Sequence, residues 1–323
     1  MSDLVVEALG KLVPGGVKRA EIARGDRRLR WVEAGAGSPT VVLDAAAGEP
    51  GSLAWAAVLP VVGARTRVVA YDRAGLGASD PAWPLDVGTQ VDDLTAVIRA
   101  TGNGPSVVAG HSWGGLLAQL AALQYPDVVA GLMLADPADE EFLSSPRQGF
   151  QHGLALGQAV LDQYARGELA QTVLDTFRPF AEQLTDDRQL RALILEAYIS
   201  CYAEQSQARM VLGEHRLLGE SLERIRQARA ERAFPAVPVV VLSATTGTPR
   251  DEREQWTRFH AALAASIPDA EHVILADTSH AMNQERPAEL ASAINRVLDQ
   301  ILSQERDEPR TDEPAGNQPG SRL

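Results

Sequence analysis

Residues 105–125 read PSVVAGHSWGGLLAQLAALQY, and residues 110–114 within them, GHSWG, match a Gly-x-Ser-x-Gly pattern. Five loosely specified positions recur by chance, so the flanks decide the reading. A short apolar, β-branched run (Val107, Val108, Ala109) precedes the pattern, and a helix-forming apolar run (116–123) follows it. Strand, sharp turn and helix in that order are the setting a nucleophile elbow requires. Such a turn strains its central residue and leaves room only for small neighbours, which Gly110, Gly114 and Gly115 supply. Ser112 would then project its hydroxyl above a sheet, at the positive end of the following helix. A serine in an ordinary glycine-rich βα loop is the competing reading, and it leaves this strand–helix context unexplained.

Composition narrows the function classes. With 323 residues, 45% of them apolar, the chain can build one large domain or one domain with an insertion. A net charge of −13 argues against nucleic acid or an anionic membrane as partner, since both require a basic surface. The single cysteine, Cys201, excludes an internal disulfide framework and reads as a buried structural thiol. No Cys/His cluster has metal-ligand spacing. The N-terminal MSDLVVEALGKLVPGG lacks the basic start and continuous apolar run of a signal peptide, and no segment approaches the length of a membrane span. A soluble, cytoplasmic protein is the expectation.

Outward from the elbow, the pattern predicts a short helix over 4–13, strands over 17–24 and 28–33, and a buried strand over 40–44. Ser52 is placed to cap a helix reaching about residue 62. Further strands are expected over 67–71 and 129–135, with an amphipathic helix over 87–100 between the first of them and the elbow strand. This alternation implies a largely parallel sheet with crossover helices. From 139 to 232 the pattern changes to successive helices that carry Phe142, Phe150, Tyr164, Phe177, Phe180, Tyr198 and Tyr202, more than half of the chain's Phe and Tyr. A helical insertion over the sheet is the simplest reading. Strands over 239–243 and 271–276 and helices over 252–266 and 287–301 complete the core. Beyond Gln304 the composition is polar and rich in Pro and Gly, so a disordered tail is expected.

With Ser112 placed, the chain resembles an α/β-hydrolase over roughly residues 17–303. The stretches VVLDAAAGEPGSLAW, VVAYDRAGLGASDP, VVAGHSWGGLLAQLAALQYPDVVAGLMLADPADEE and SHAMNQERPAEL are together similar to the capped esterase-like and haloperoxidase-like serine hydrolases. The resemblance implies an eight-stranded, mostly parallel sheet with helices on both faces and a helical cap inserted after the sixth strand. The expected organisation is a core of 17–138 and 236–303, a cap of 139–235, an N-terminal extension of 1–16 and a tail of 304–323. It implies no cofactor. It also implies the order nucleophile, acid, histidine.

A serine hydroxyl needs a base within hydrogen-bond reach, and histidine can accept the proton and return it to the leaving group. Of six histidines, His280 follows the last strand in a polar loop, where the family places its base. His111 adjoins the nucleophile but points away from it at an elbow, so packing or hydrogen bonding there is expected. His260 reads as structural, His272 begins a strand, and His152 and His215 fall in the cap. The acid is harder to place. In many relatives it follows the seventh strand, but here that strand runs into SATTGTP (243–249), which holds no carboxylate. A second family solution puts the acid at the end of the sixth strand, where Asp136 stands, and Asp136 is the favoured residue. Asp251 and Asp139 stay open as alternatives; Asp277 is expected to shape its own loop. For the oxyanion the family uses two backbone amides, which map to Trp113 and Ala46. Asp44, beside that hole, would oppose the chemistry unless turned away or paired, and Arg73 is a plausible partner. Asp72 and Arg73 otherwise read as a structural salt-bridge and turn element.

The expected function is therefore a serine hydrolase cleaving a carboxylic ester, thioester or lactone of a small-molecule acyl substrate through an acyl-enzyme. Perhydrolysis by the same triad, with peroxide as acceptor, is one alternative. A non-catalytic, ligand-binding member of the fold is the other. Dehalogenases and epoxide hydrolases of this fold carry an aspartate at the elbow, and Ser112 argues against both. No sequence feature specifies an oligomeric state.

Overall fold

Continuous apolar runs such as Val41-Val42-Leu43 and Val239-Val240-Val241-Leu242 can be stable only where both faces of a strand are covered. The computed structural model, which describes residues 3–102, 104–139 and 148–307, places them in that way. Eight strands form one sheet: β1 (Lys18–Arg24), β2 (Arg27–Ala34), β3 (Val41–Asp44), β4 (Val68–Asp72), β5 (Ser106–His111), β6 (Val129–Ala135), β7 (Val239–Ser243) and β8 (Glu271–Ile274). Their spatial order is β1-β2-β4-β3-β5-β6-β7-β8. β2 runs antiparallel to both neighbours, and every other pairing is parallel.

Successive side chains point to opposite faces of a strand, so each central strand feeds two cores. Val41, Leu43, Val107, Ala109, Met133, Ala135, Val240 and Leu242 face one layer of helices, which includes Pro287–Asp307. Val42, Val108, Leu132, Leu134, Val239 and Val241 face the other, which includes Val87–Thr101, Trp113–Gln124 and Arg250–Ala265. The parallel strands all end on one edge, so Asp44, Asp72, His111 and Ala135 finish side by side there.

Between β6 and β7 the described residues form five helices, Gln148–Arg166, Leu169–Leu184, Arg188–Tyr202, Gln205–Glu220 and Leu222–Glu231. Phe142 and the Phe150 side chain lie outside the described residues, as do residues 308–323 of the expected tail; the last helix itself continues to Asp307. The N-terminal helix Asp3–Leu12 packs on Arg188–Tyr202, with Val5, Ala8 and Leu9 buried in the same cluster as Ile194 and Tyr198. Among the described residues no helix is long and apolar enough to cross a membrane.

One expected helix is corrected. Residues 51–63 form two short pieces, Gly51–Ala54 and Leu59–Gly63, and Ser52 caps neither. The Ser52 amide donates to the Asp72 carboxylate (2.8 Å) and its hydroxyl to the Ala70 carbonyl (3.4 Å), so the segment is tied to β4. Gly51 belongs to the same contact: a Cβ there would lie 1.9 Å from the Tyr71 carbonyl oxygen.

Helices 205–220 and the sheet are joined by a buried ionic network. Arg73, just past β4, donates to Glu214 from Nε (2.7 Å) and Nη2 (2.8 Å), and to Asp44 from Nη1 (2.5 Å). It also donates to the carbonyls of Ala45 and Ala46, both at 2.7 Å. Burial alone would lower the Arg73 pKa, but Glu214 and Asp44 outweigh it and hold the guanidinium well above its ordinary value. Asp44 is thus paired with Arg73, one of the two arrangements the sequence left open. Removing one member of such a pair strands a buried charge, at a cost of about 3–5 kcal/mol. Glu214→Ala should lose stability of that order in urea denaturation; a midpoint within experimental error of the parent would mean that the cap is not fastened through this contact.

Candidate active site

β5 ends at His111 and a helix begins at Trp113, so the chain must reverse at a single residue, Ser112. Ser112 takes φ 53°, ψ −114°, a conformation that L side chains rarely adopt and that costs of order 1–3 kcal/mol. Surrounding contacts enforce it. The Ser112 amide donates to the Ala135 carbonyl (3.0 Å), and the Ser112 carbonyl accepts from Ala138 (2.9 Å) and Leu116 (3.1 Å). The Gly114 amide donates to Ala45 across the turn (3.1 Å). A Cβ on Gly110 would meet the Gly114 carbonyl oxygen at 2.4 Å, and one on Gly114 would meet that of Asp44 at 2.5 Å, so only glycine fits at either position. Ser112 is partly exposed, and its hydroxyl has no hydrogen bond among the described residues.

Register places Asp136 beside this turn, because His111 and Ala135 are paired neighbours on β5 and β6. Asp136 also adopts a positive φ (43°) and is fully buried. Its amide donates to Leu242 (2.8 Å), and its carboxylate accepts from three groups: the Ala244 amide (3.0 Å), Arg253 Nη1 on both oxygens (2.9 and 2.8 Å), and His280 Nδ1 (2.6 Å). Burial would raise the pKa of this carboxyl. The hydrogen bond and charge of His280, followed by the fields of His260 and Arg253, outweigh it and hold the group below the usual carboxylate range. The structure therefore brings Asp136 and His280 together. Asp251 is exposed at the start of its helix, and Asp139 is buried within the field of His260.

His280 contacts two aromatic rings, His111 at 4.8 Å and Trp256 at 5.1 Å between centroids. The His111 ring lies against the loop of His280, with Nε2 donating to the His280 carbonyl (2.7 Å). That bond makes Nδ1 the lone-pair nitrogen, and it is buried without a partner. Burial first, and the charge of His280 second, push His111 down to about 3, so this ring is neutral. Behind Asp136, His260 donates from Nε2 to Pro137 (2.8 Å) and accepts at Nδ1 from the Ser243 hydroxyl (2.8 Å). Ser243 in turn accepts from His272 Nε2 (2.8 Å). His260 thus has the structural setting expected of it. In the cap, His152 is exposed and His215 bonds the Val211 carbonyl of its own helix (2.6 Å).

The two amides mapped to an oxyanion hole differ in their surroundings. Trp113 begins the elbow helix, with its indole buried and donating to Gln90 (2.8 Å). The Ala46 amide donates to the Glu49 carboxylate of its own loop (3.3 Å), a partner the sequence reading did not foresee. Arg253, Trp256 and Glu214 were also missed. Arg253 and Trp256 lie in RDEREQW, whose charge density reads as a solvated helix face, yet both are buried. A weak signal existed in the Trp256 indole: a Trp among charges at helical spacing implies one buried side. Among the described residues no set of three or more His, Cys, Asp and Glu is arranged to hold a metal ion.

Comparison with known proteins agrees with this fold. A model of the family described as "Alpha/beta hydrolase family" matches residues 24–293. Lipase LipV of Mycobacterium tuberculosis is 44% identical over 71 residues, 22% of this chain and 27% of that protein. Polyketide synthase ThaQ of Burkholderia thailandensis is 33% identical over 172 residues, 50% of this chain and 8% of that protein. The chain thus spans well under half the length of these curated relatives. A solved structure from Pseudomonas aeruginosa, provisionally described as an epoxide hydrolase, superposes with a TM-score of 0.68 at 18% identity, covering 90% of this chain and 98% of that one. At that identity the likeness is one of fold.

The buried, neutral His111 has a consequence for stability. Its native pKa lies below the ordinary value of 6.5, so between pH 6.5 and about 3 the unfolded chain binds a proton that the native state does not. Its contribution is complete above pH 6.5 and is lost as pH falls toward 3, at up to about 1.4 kcal/mol per pH unit. Urea denaturation from pH 7 to 4 should therefore show a shallower acid decline for His111→Asn than for the parent. Equal slopes would mean that this ring is not held neutral.

Proposed function

We propose, from the premise that the chain belongs to the alpha/beta hydrolase family, that it is a serine hydrolase acting on a carboxylic ester, thioester or lactone of a small-molecule acyl substrate. The observation that carries this reading is the 2.6 Å contact between His280 Nδ1 and Asp136, next to a serine held at φ 53°. With Nδ1 committed to the carboxylate, Nε2 is the ring nitrogen available to the Ser112 hydroxyl. Asp136 stays ionised, fixes the tautomer, and stabilises the imidazolium as it forms. In this mechanism His280 takes the Ser112 proton as Oγ attacks the acyl carbon, then returns it to the leaving alcohol or thiol. Water activated by the same imidazole cleaves the acyl-enzyme. The amides of Trp113 and Ala46 supply the oxyanion donors, each worth about 3–4 kcal/mol to the transition state. For Ala46 this requires its present partner, Glu49, to yield the amide.

Further support comes from two directions. A relative described as a lipase matches this chain at 44% identity over its matched segment. The elbow residue is Ser112, whereas epoxide hydrolases of this fold carry aspartate. The cap helices bring Phe177 and Tyr198 into a stack at 3.9 Å, with Tyr202 5.9 Å from Phe177 and the Tyr198 hydroxyl bonded to the Leu53 carbonyl (3.0 Å). These rings belong to the core that holds the cap helices together, with Phe177 and Tyr198 buried in it and Tyr202 packed against it. The ion-paired Asp136 also weighs against a purely ligand-binding member of the fold, which has no use for an oriented histidine.

Hydrolysis of p-nitrophenyl esters of rising chain length, beside a lactone panel, tests the reading. Ser112→Ala and Asp136→Asn should each lower kcat/KM by on the order of 10⁴-fold, with the fold retained. Parental rates in Ser112→Ala would refute an acyl-enzyme at this serine.

A further inference from the structure

The loop after β3 carries one side chain that the proposed chemistry does not use and that the surroundings do not neutralise. Glu49 directs its carboxylate toward the candidate site, with Oε2 3.3 Å from the Ala46 amide nitrogen and 4.0 Å from His111 Nδ1. The loop that aims it is firmly held. The Gly48 amide donates to Glu214 (2.6 Å), and the Gly48 carbonyl accepts from Gln207 (2.7 Å). Gly48 has φ +73°, and a Cβ there would meet the Val211 backbone at 2.7 Å. The Glu49 side chain keeps 24% of its surface exposed, so a ligand can reach it.

Its charge has no counterion at contact distance. Burial raises the Glu49 pKa, and His280 first, then the Ala46 amide and Arg73, act against it. Neither cation reaches the carboxylate: His280 Nδ1 is committed to Asp136, and all five N–H donors of Arg73 go to Glu214, Asp44, Ala45 and Ala46. His111 is neutral and presents a lone pair at Nδ1, since its Nε2–H is committed to His280. Two acceptors, a carboxylate oxygen and a buried imidazole nitrogen without a partner, thus stand 4.0 Å apart with no donor between them. Leaving a buried acceptor unsatisfied is costly. The complementary group has several N–H donors, no acceptor and a positive charge. A primary ammonium satisfies all three conditions, and the 4.0 Å separation is short enough for one nitrogen to lie at an ordinary hydrogen-bond distance of about 2.8 Å from each atom; Glu49 is the accessible partner, and the carboxylate must shift for the nitrogen to contact the buried Nδ1.

We propose that Glu49 and His111 Nδ1 form an ammonium subsite, and that the substrates of this protein are acyl compounds bearing a primary amine one or two carbons from the carbonyl carbon. This rests on the hydrolase reading above. The short distance to Ala46 sets the position of the amine: an ammonium on Glu49 lies beside the oxyanion, not at the far end of a chain. It also links recognition to chemistry. An ammonium that draws the Glu49 carboxylate to itself releases the Ala46 amide to the developing oxyanion, so the cognate substrate completes the hole that the free protein keeps occupied.

Two measurements, on the full-length chain and on Glu49→Gln, test the subsite. The variant is isosteric and its amide oxygen can still accept from Ala46. Calorimetric titration with propylammonium chloride reads the subsite without any turnover. Binding to the parent that weakens at least tenfold in Glu49→Gln supports it, and no binding, or equal binding to both, overturns it. Benzyl β-alaninate and its neutral isostere benzyl butyrate then read the coupling to catalysis. The ratio of their kcat/KM values, ammonium over neutral, should fall at least tenfold in Glu49→Gln and recover in part in Glu49→Asp. Butyrate hydrolysis with an unchanged ratio overturns the subsite and leaves the esterase reading standing. Ammonium binding that depends on Glu49, with neither ester hydrolysed, supports the subsite and removes the esterase reading.

Discussion

A single buried cation, Arg73, fixes the geometry from which the rest of the candidate site is built. Its five donors engage two carboxylates and two consecutive carbonyls, a set that only the planar fork of a guanidinium can satisfy at once. Each partner belongs to a different part of the molecule. Asp44 ends β3, Ala45 and Ala46 open the loop that carries one expected oxyanion donor, and Glu214 comes from the helix Gln205–Glu220. The network extends further through Tyr71 onto Asp44 (3.1 Å), Gln90 onto Glu214 (2.7 Å) and the Trp113 indole onto Gln90 (2.8 Å). A continuous path of hydrogen bonds therefore links the cap to the first residue of the elbow helix. Buried ion pairs often gain little stability over apolar packing of the same volume. Here the pair serves position: with Ala45 held, its carbonyl receives the Gly114 amide and supports the turn at Ser112.

The same logic recurs on the adjacent strand. Ser112 and Asp136, two non-glycine residues at positive φ, follow directly from paired ends of β5 and β6. Strain of this kind persists only where neighbouring contacts over-determine it, and at both positions backbone hydrogen bonds to another strand do so. Arg253 then gives Asp136 a permanent counterion. Its guanidinium lies 4.5 Å over the Trp256 ring, which in turn lies against His280. The histidine is thereby oriented through its hydrogen bond and through its ring contacts with Trp256 and His111.

Much of this was legible in the chain, and the reasons differ by residue. The strands were readable because doubly buried parallel strands are written as uninterrupted apolar runs. The elbow was readable because three glycines and a serine between a strand and a helix leave few other options. Asp136 came from the resemblance, which offers the end of the sixth strand as a second place for the acid, and it was favoured because SATTGTP holds no carboxylate after β7. What stayed hidden depends on contacts between residues distant in sequence. Arg253 and Glu214 sit in charged helical segments, and no local pattern reveals that either is buried against a partner 117 or 141 residues away. The broken helix at 51–63 escaped because Ser52 has the chemistry of a cap, while the acceptor that takes its amide, Asp72, lies on β4. Glu49 escaped because a carboxylate in a Gly- and Pro-containing loop reads as solvated, and its direction is set by the helix that clamps Gly48.

The central claim is that Ser112, His280 and Asp136 act as one unit. Mass-spectrometric mapping of the protein after reaction with a fluorophosphonate tests it most directly, because the adduct reports which hydroxyl is activated and by what. The account predicts a single adduct on the peptide containing Ser112, formed quickly in the parent, and far more slowly when His280 is replaced by alanine. No adduct, an adduct on another residue, or labelling of Ser112 at the same rate without His280 would contradict it.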